Sequence, residues 1–283
     1  MLSYRHAFHA GNFADVHKHA VLSLLVQNLL RKDTPFFYMD THAGAGRYDL
    51  RAPEAQKNAE HRHGILRLWQ HHEIPAALQP YLAAVKAINP TDTSGALRCY
   101  PGSPSIVRHM LRPQDRMVLT ELHPADVQLL KHEFAEDRQV AIHHLDAYQG
   151  IKAFLPPQER RGLVLMDPAF ERRDEPANMI AGLETAVQRW AHGLYALWFP
   201  ITNRAGLSDL YKRLEKTGIR KILISELCVR PPLSARQLNG SAMVIINPPW
   251  QLDVTLGEVL PWLRQTLAEE GHGSQRIDWL VPE

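Results

Sequence analysis

Short continuous apolar runs alternate along this chain with longer stretches whose apolar positions recur every three or four residues, the patterns of buried strands and amphipathic helices. The first helical stretch starts at Asn12, a capping residue type, with Asp15 three positions on. Val16, Ala20, Leu24, Leu25 and Leu29 follow at helical spacing until Asp33-Thr34-Pro35 ends the pattern. Phe36-Phe37-Tyr38-Met39-Asp40 then reads as a buried strand running into a glycine-rich turn. Further strand candidates lie at Met117 to Glu121, Gln139 to His143, Gly162 to Asp167, Leu194 to Phe199, Lys221 to Cys228 and Ala242 to Asn247. Helical patterns fall between most of them, among them Pro124 to Phe134, Ala177 to Trp190 and Leu207 to Lys216. The alternation predicts an α/β fold with a seven-stranded, mostly parallel sheet and helices on both faces. Only a loop separates the last two strands, so they are expected to pair antiparallel at an edge. Residues 51–95 break the rhythm, with helical periodicity around Ile65, Leu68 and Trp69 and around Leu78, Leu82 and Val85 but no convincing strand. They read as a small helical subdomain inserted after the first strand, within a domain formed by residues 1–50 and 96–283.

Composition narrows the class. With 45% hydrophobic and 22% charged residues among 283, the chain can bury one sizeable core and is neither disordered nor fibrous. Its longest strongly apolar run, Leu194 to Phe199, falls far short of the roughly 20 residues that span a bilayer. The start, Met1 to His6, lacks the apolar stretch of a secretory signal, so a cytoplasmic protein without membrane contact is expected. Cys99 and Cys228 are too few for a disulfide framework or a four-cysteine zinc site. Neither follows a proline, which leaves a cysteine nucleophile for pyrimidine chemistry without support. A net charge of +2 excludes coating nucleic acid by bulk charge, so any polynucleotide contact must come from local patches.

The candidate chemistry sits where strands end. In Asp40-Thr41-His42-Ala43-Gly44-Ala45-Gly46, the Gly-x-Gly lets backbone approach a nucleoside closely. A dinucleotide fingerprint would place glycine at position 49, where Asp49 stands, and no Gly-Lys-Ser/Thr follows as a phosphate-binding loop requires. The acid four residues before Gly-x-Gly instead resembles the first motif of S-adenosylmethionine-dependent methyltransferases. Glu121 ends the next strand, where it could accept both ribose hydroxyls of a nucleoside, and Asp146 follows the third, where it could face an adenine amino group. Asp167-Pro168-Ala169-Phe170 closes the apolar run from Leu163. A polar acceptor, a proline and an aromatic at a strand end suit an enzyme that grips an exocyclic amine and stacks its ring. A plain turn is the other reading of Asp-Pro. Acids after four successive strands are hard to assign to packing, since a buried carboxylate costs several kcal/mol unless paired.

Asn247-Pro248-Pro249-Trp250 matches the amino-methyltransferase pattern Asn/Asp-Pro-Pro-aromatic better as a string, but it follows the last strand. The catalytic turn should follow a strand beside the Gly-x-Gly strand, so a structural turn is expected at Asn247. His17 and His19 point about 200° apart on a helix and cannot chelate one ion together. Asp15 and His19 share a helical face and are placed to hydrogen bond. The pairs His61/His63 and His71/His72 read as solvated, and no metal is expected.

These motifs, with the opening Leu2-Ser3-Tyr4-Arg5-His6-Ala7-Phe8-His9-Ala10-Gly11-Asn12, the segment Tyr100-Pro101-Gly102-Ser103-Pro104 and the closing Ile246 to Trp250, make the chain resemble the RlmJ family over its whole length. That is the bacterial family of 23S ribosomal RNA adenine-N6 methyltransferases. The resemblance implies a Rossmann-like methyltransferase with a small helical insertion, S-adenosylmethionine as donor, S-adenosylhomocysteine as product, and 23S ribosomal RNA as partner. It implies a monomer without an obligate protein partner. Position by position it implies a donor site of His19, His42, Gly44, Gly46, Ser103, Glu121, Asp146, Ala147 and Asp167. Asp167, Pro168 and Phe170 would be catalytic, and Tyr4, His6 and Lys18 would lie near the substrate adenine. Two departures stand out: Ala169 and Phe170 where the family commonly has Pro-Tyr, and Ala147 where glycine is expected. RNA is expected to meet Arg5, Lys18, Arg172, Arg173, Arg230 and Arg236, with a looped or single-stranded target whose base is cheap to extrude. Two further readings stay open: adenine-N6 methylation of DNA, against which the lack of an obvious separate target-recognition domain counts, and a non-catalytic nucleic-acid-binding role in DNA uptake or catabolism.

Overall fold

Asn12 starts helix α1 (Phe13–Leu30), its side-chain oxygen accepting the Asp15 backbone N–H at 2.9 Å. The computed structural model describes residues 4–89, 95–231, 238–269 and 271–283. After α1 come β1 (Phe37–Asp40), β2 (Arg47–Asp49), α2 (Pro53–Asn58), α3 (Ile65–Trp69), α4 (Gln79–Ala87), β3 (Cys99–Pro101) and α5 (Ser103–Met110). Strands and helices then alternate through β4 (Arg116–Glu121), α6 (Pro124–Glu133), β5 (Val140–His144), α7 (Ala147–Phe154), β6 (Gly162–Met166), α8 (Glu175–Arg189), β7 (Leu194–Ile201), α9 (Arg204–Lys216) and β8 (Ile222–Cys228). The chain finishes with β9 (Gly240–Ile246), α10 (Leu252–Leu267) and β10 (Ser274–Val281).

The main sheet runs β10-β8-β9-β7-β6-β1-β4-β5 and has eight strands, one more than the apolar pattern predicts. β5, β4, β1, β6 and β7 are parallel, and β9, β8 and β10 continue the sheet antiparallel. β1 and β6 are buried along their whole length, as central parallel strands covered on both faces must be. The extra strand, β10, carries Arg276 and Asp278 and is half exposed, so it lacks the continuous apolar run that marks the others. β8 and β9 do pair antiparallel, but not at an edge: β10 covers β8, and every residue of both strands is buried.

The segment between β2 and β3 holds only helices among its described residues. β2 and β3 pair as an antiparallel ribbon at its root, two short strands without a sequence signal. Tyr81, Leu82 and Val85 of α4 share one apolar cluster with Val16 and Ala20 of α1 and Leu260 and Leu263 of α10. Gly64 permits a backbone crossing with the N-terminal segment, since a Cβ there would lie 2.1 Å from the Gly11 carbonyl oxygen. Asn89 completes the root: its side-chain oxygen accepts the Arg98 and Cys99 N–H groups and its amide donates to the Cys99 carbonyl.

Candidate active site

The parallel strands bring four acids into spatial order. Asp167 follows β6, Asp40 ends β1, Glu121 ends β4 and Asp146 follows β5, so the carboxyl ends of four adjacent strands each present a carboxylate. The chain order reverses between β1 and β6, which is where an open α/β sheet forms its ligand crevice. A cleft of about 690 Å³ opens there.

Thirteen of the fourteen residues named from the sequence line this cleft: Tyr4, His6, Lys18, His19, His42, Gly44, Ser103, Glu121, Asp146, Ala147, Asp167, Pro168 and Phe170. Gly46 does not. Its φ of +77° turns the chain into β2, and its carbonyl accepts hydrogen bonds from the Gly102 N–H and the Ser105 hydroxyl, so it braces the turn from behind.

On the glycine side, Glu121 accepts the Gly44 and His123 backbone N–H groups, both at 2.7 Å, while burial raises its carboxyl above the ordinary range. Asp40 is fully buried and accepts the Ser103 hydroxyl at 2.6 Å and the Tyr38 hydroxyl at 2.9 Å. Burial pushes Asp40 up to about 6 in spite of these bonds. The Ser103 hydroxyl therefore holds Asp40. Asp146 caps α7, one oxygen accepting the Tyr148 and Gln149 N–H groups. Burial brings His42 down to about 4, so it is neutral at physiological pH.

On the other side, a chain of polar contacts crosses the cleft. The Tyr4 hydroxyl meets His6 Nδ1 at 2.9 Å, and His6 Nε2 meets Asp15 Oδ2 at 2.9 Å. Lys18 Nζ then joins Asp15 Oδ1, at 2.9 Å, to the Asp167 carboxylate. Burial alone would raise the Asp15 carboxyl and lower the Lys18 ammonium, but each is held in its charged form, Asp15 by His6 and Lys18, Lys18 by Asp15 and Asp167. Asp15 does not bond His19, the partner expected from their spacing, because His6 and Lys18 occupy its oxygens. His19 Nδ1 instead meets the Tyr100 hydroxyl at 2.7 Å, and its Nε2 has no hydrogen-bond partner among the described residues.

Phe170 takes a left-handed backbone at φ +52°, a strained turn that presents its ring against Trp198 at 5.6 Å and Phe199 at 5.7 Å. Trp198 lines the cleft, and its indole N–H donates to Ser241, which also bonds His17. Asn247 lies elsewhere. β9 runs antiparallel to β7, so Asn247 sits beyond the opposite end of the sheet, where its amide donates to the Ala191 and Gly193 carbonyls.

The family model described as "Ribosomal RNA large subunit methyltransferase D, RlmJ" matches residues 33–281. The chain belongs to this family. It is 48% identical over the full length of both chains to "Ribosomal RNA large subunit methyltransferase J" of Escherichia coli K12, and 46% identical, again end to end, to the Haemophilus influenzae protein of the same name. A crystal structure of a Legionella pneumophila protein superposes with a TM-score of 0.88 at 34% identity, covering 96% of this chain and 98% of that one.

Within this family fold, sequence reasoning missed the parts that Asp15 and Trp198 play. Asp15 reads as a helix-start residue, yet it anchors Lys18. Trp198 lies within an apolar run, and only its alternation along β7 hints that it faces a cleft. Several expected surface groups are engaged instead. Lys18 is buried, Arg5 pairs with Asp126 at 3.0 Å, and Arg230 makes a two-pronged pair with Glu269. Arg172 pairs with Asp174, and Arg173 is exposed. Arg236 lies outside the described residues. His61 is buried, whereas His63, His71 and His72 are exposed as expected, His71 with its ring edge-on to Trp262. Among the described residues no three His, Cys, Asp or Glu side chains gather as a metal site, and no helix is long and apolar enough to cross a membrane.

Proposed function

We propose that this chain transfers a methyl group from S-adenosylmethionine to the exocyclic N6 of an adenine in 23S ribosomal RNA. The observation that carries the reading is the turn after β6: Asp167, Pro168 and Phe170 stand beside the Gly44 turn of β1, at the point where the strand order reverses. Family membership supports the reaction class and the ribosomal RNA substrate.

The residues present fit the donor. The His19 Nε2 atom is a buried polar group without a hydrogen-bond partner among the described residues, in a side chain that lines the cleft, and a Cβ at Gly44 would lie only 2.4 Å from the Tyr48 hydroxyl. Glu121 would hold the ribose hydroxyls, His19 and Gly44 the amino-acid end, and Asp146 with the Ala147 backbone the adenine edge. When bound, the donor supplies an electrophilic methyl on a sulfonium.

The chain's own residues prepare the amine. Adenine N6 is a weak nucleophile because its lone pair is delocalised into the ring. An Asp167 carboxylate oxygen and the Pro168 carbonyl would accept its two N–H bonds and favour the pyramidal nitrogen that can attack. The Lys18 ammonium balances the Asp167 charge and, already carrying its proton, cannot act as the base, so the departing proton passes to Asp167 or water. Phe170, backed by Trp198, offers the extruded base a stacking face. The departures at Ala169 and Phe170 keep the carboxylate, the carbonyl and the ring.

The test is labelled methyl transfer to 23S RNA and to matched DNA oligonucleotides, with nucleoside mass spectrometry of the product. N6-methyladenine in RNA is expected, and Asp167→Asn should lower the rate by roughly a hundredfold or more. Methylation of DNA alone, or no transfer from wild-type protein, sinks the reading.

A further inference from the structure

Three aromatic and imidazole groups form a buried line from the inserted helical segment to the cleft. The Tyr81 hydroxyl of α4 meets the Tyr100 hydroxyl of β3 at 2.9 Å, and Tyr100 meets His19 Nδ1 of α1 at 2.7 Å. Tyr81 and Tyr100 are fully buried and His19 is 1% exposed. The Tyr100 ring also stacks on the imidazole, with centroids 5.5 Å apart and planes at 27°.

Proton counting gives this line a direction. Each tyrosine hydroxyl has one proton to donate. If His19 donated from Nδ1 to Tyr100, and Tyr100 to Tyr81, the Tyr81 proton would have no acceptor in the buried line, and an unmade buried hydrogen bond costs about 1–3 kcal/mol. In the opposite sense, Tyr81 donates to Tyr100 and Tyr100 donates to Nδ1, and the one spare proton sits on Nε2, in a side chain that lines the cleft, rather than on a hydroxyl buried behind it. A neutral imidazole then carries its proton on Nε2. Burial does hold His19 neutral, well below the usual histidine range. Nε2 is the atom that lacks a protein partner, in a side chain that lines the cleft.

We propose that Tyr100, supported by Tyr81, is a positioning residue that fixes the His19 tautomer, so that an N–H at Nε2 stands ready for an acceptor atom of the methyl donor. Asn89 holds the same strand, since it bonds the backbone of Arg98 and Cys99 next to Tyr100. The proposal deepens the donor site described above and rests on that reading.

Two measurements on the full chain separate the proposal from the reading beneath it. Nitrogen-15 NMR of histidine-labelled protein, with the His19 signals assigned by His19→Gln, reports which ring nitrogen carries the proton without any ligand. Wild type is expected to carry it on Nε2, and Tyr81→Phe to keep that tautomer, because Tyr100 still has only Nδ1 to donate to. Tyr100→Phe is expected to give a tautomer mixture. Calorimetry with S-adenosylhomocysteine should then show about tenfold weaker binding for Tyr100→Phe, equal to about 1.4 kcal/mol, and a change within about threefold for Tyr81→Phe. A proton on Nδ1 of wild-type His19 overturns the proposal, whether or not the variants fold. So does a folded Tyr100→Phe protein, checked by thermal melting, with wild-type tautomer and affinity. Failure of wild-type protein to bind S-adenosylhomocysteine would instead overturn the donor reading, leaving the tautomer to judge Tyr100.

Discussion

Replacing Lys18 by Met tests the electrostatics of the cleft most directly. Lys18 Nζ is the cation between Asp15 and Asp167, and the Asp15 side chain is 2% exposed. Removing one partner of a buried ion pair costs about 3–5 kcal/mol, because the remaining charge stays desolvated. Asp15 keeps His6 and the Gly11 N–H, which offset part of the loss, so about 3 kcal/mol at pH 7 is the expected effect. The pH dependence should also change sign. In wild type the Asp15 carboxyl lies below its unfolded value, so its contribution is present above the unfolded pKa and is lost as pH falls through the folded one. In Lys18→Met, with His6 and the Gly11 N–H left to oppose burial, the carboxyl is expected to rise above its unfolded value, so acidification should restore stability. The assay is urea unfolding at pH 7 and pH 5 of Lys18→Met and of Lys18→Met/Asp15→Asn, which lacks the titrating group and cancels other acid effects. The single variant should be the less stable at pH 7, by about 2 kcal/mol, and the gap should narrow at pH 5. A gap under about 0.5 kcal/mol at pH 7, within ordinary surface-substitution scatter, would refute the reasoning.

His17 bonds Ser225 and Ser241, each at 2.9 Å, and burial brings it down to about 3, so its contribution is present above the unfolded value and lost as pH falls below it. His17→Gln does not titrate and should lose about 2 kcal/mol less stability than wild type between pH 7 and pH 5, measured by urea unfolding, with equal losses counting against the assignment. Gly44 has φ +62°, and a Cβ there would lie 2.4 Å from the Tyr48 hydroxyl. Gly44→Ala should therefore cost about 1–3 kcal/mol in chemical denaturation and weaken S-adenosylhomocysteine in calorimetry, and an unaltered protein would remove Gly44 from the donor site. Phe170→Ala should raise KM for RNA by roughly five- to 150-fold, from a stacking contribution of about 1–3 kcal/mol, with donor affinity kept. An unchanged KM would show that the base stacks elsewhere.

Much of the sheet was legible because its central strands are continuous apolar runs ending in acids. Burial on both faces leaves such strands few other residues to use. Asn12 likewise announced α1 through local chemistry. What stayed hidden depends on residues that chain order separates. Lys18 reaches Asp167 across 149 positions, and His17 reaches Ser241 across 224, so no window along the sequence contains either pair. β10 was hidden for a different reason: an edge strand wets one side, so Arg276 and Asp278 interrupt the apolar signal. Spacing also misassigned the Asp15 partner, because sharing a helical face does not decide which of several nearby groups takes an oxygen.

The run His17-Lys18-His19 gives α1 an unusual intolerance to changes in length. Each successive residue turns about 100° around the helix. These three neighbours consequently meet three unrelated surroundings: the serines of β8 and β9, the carboxylates of the cleft, and the Tyr100 hydroxyl. A substitution can spoil one of these meetings and spare the others. One residue added or deleted between His19 and Leu30 would turn this run by about 100° against the packed remainder of α1 and misdirect all three at once.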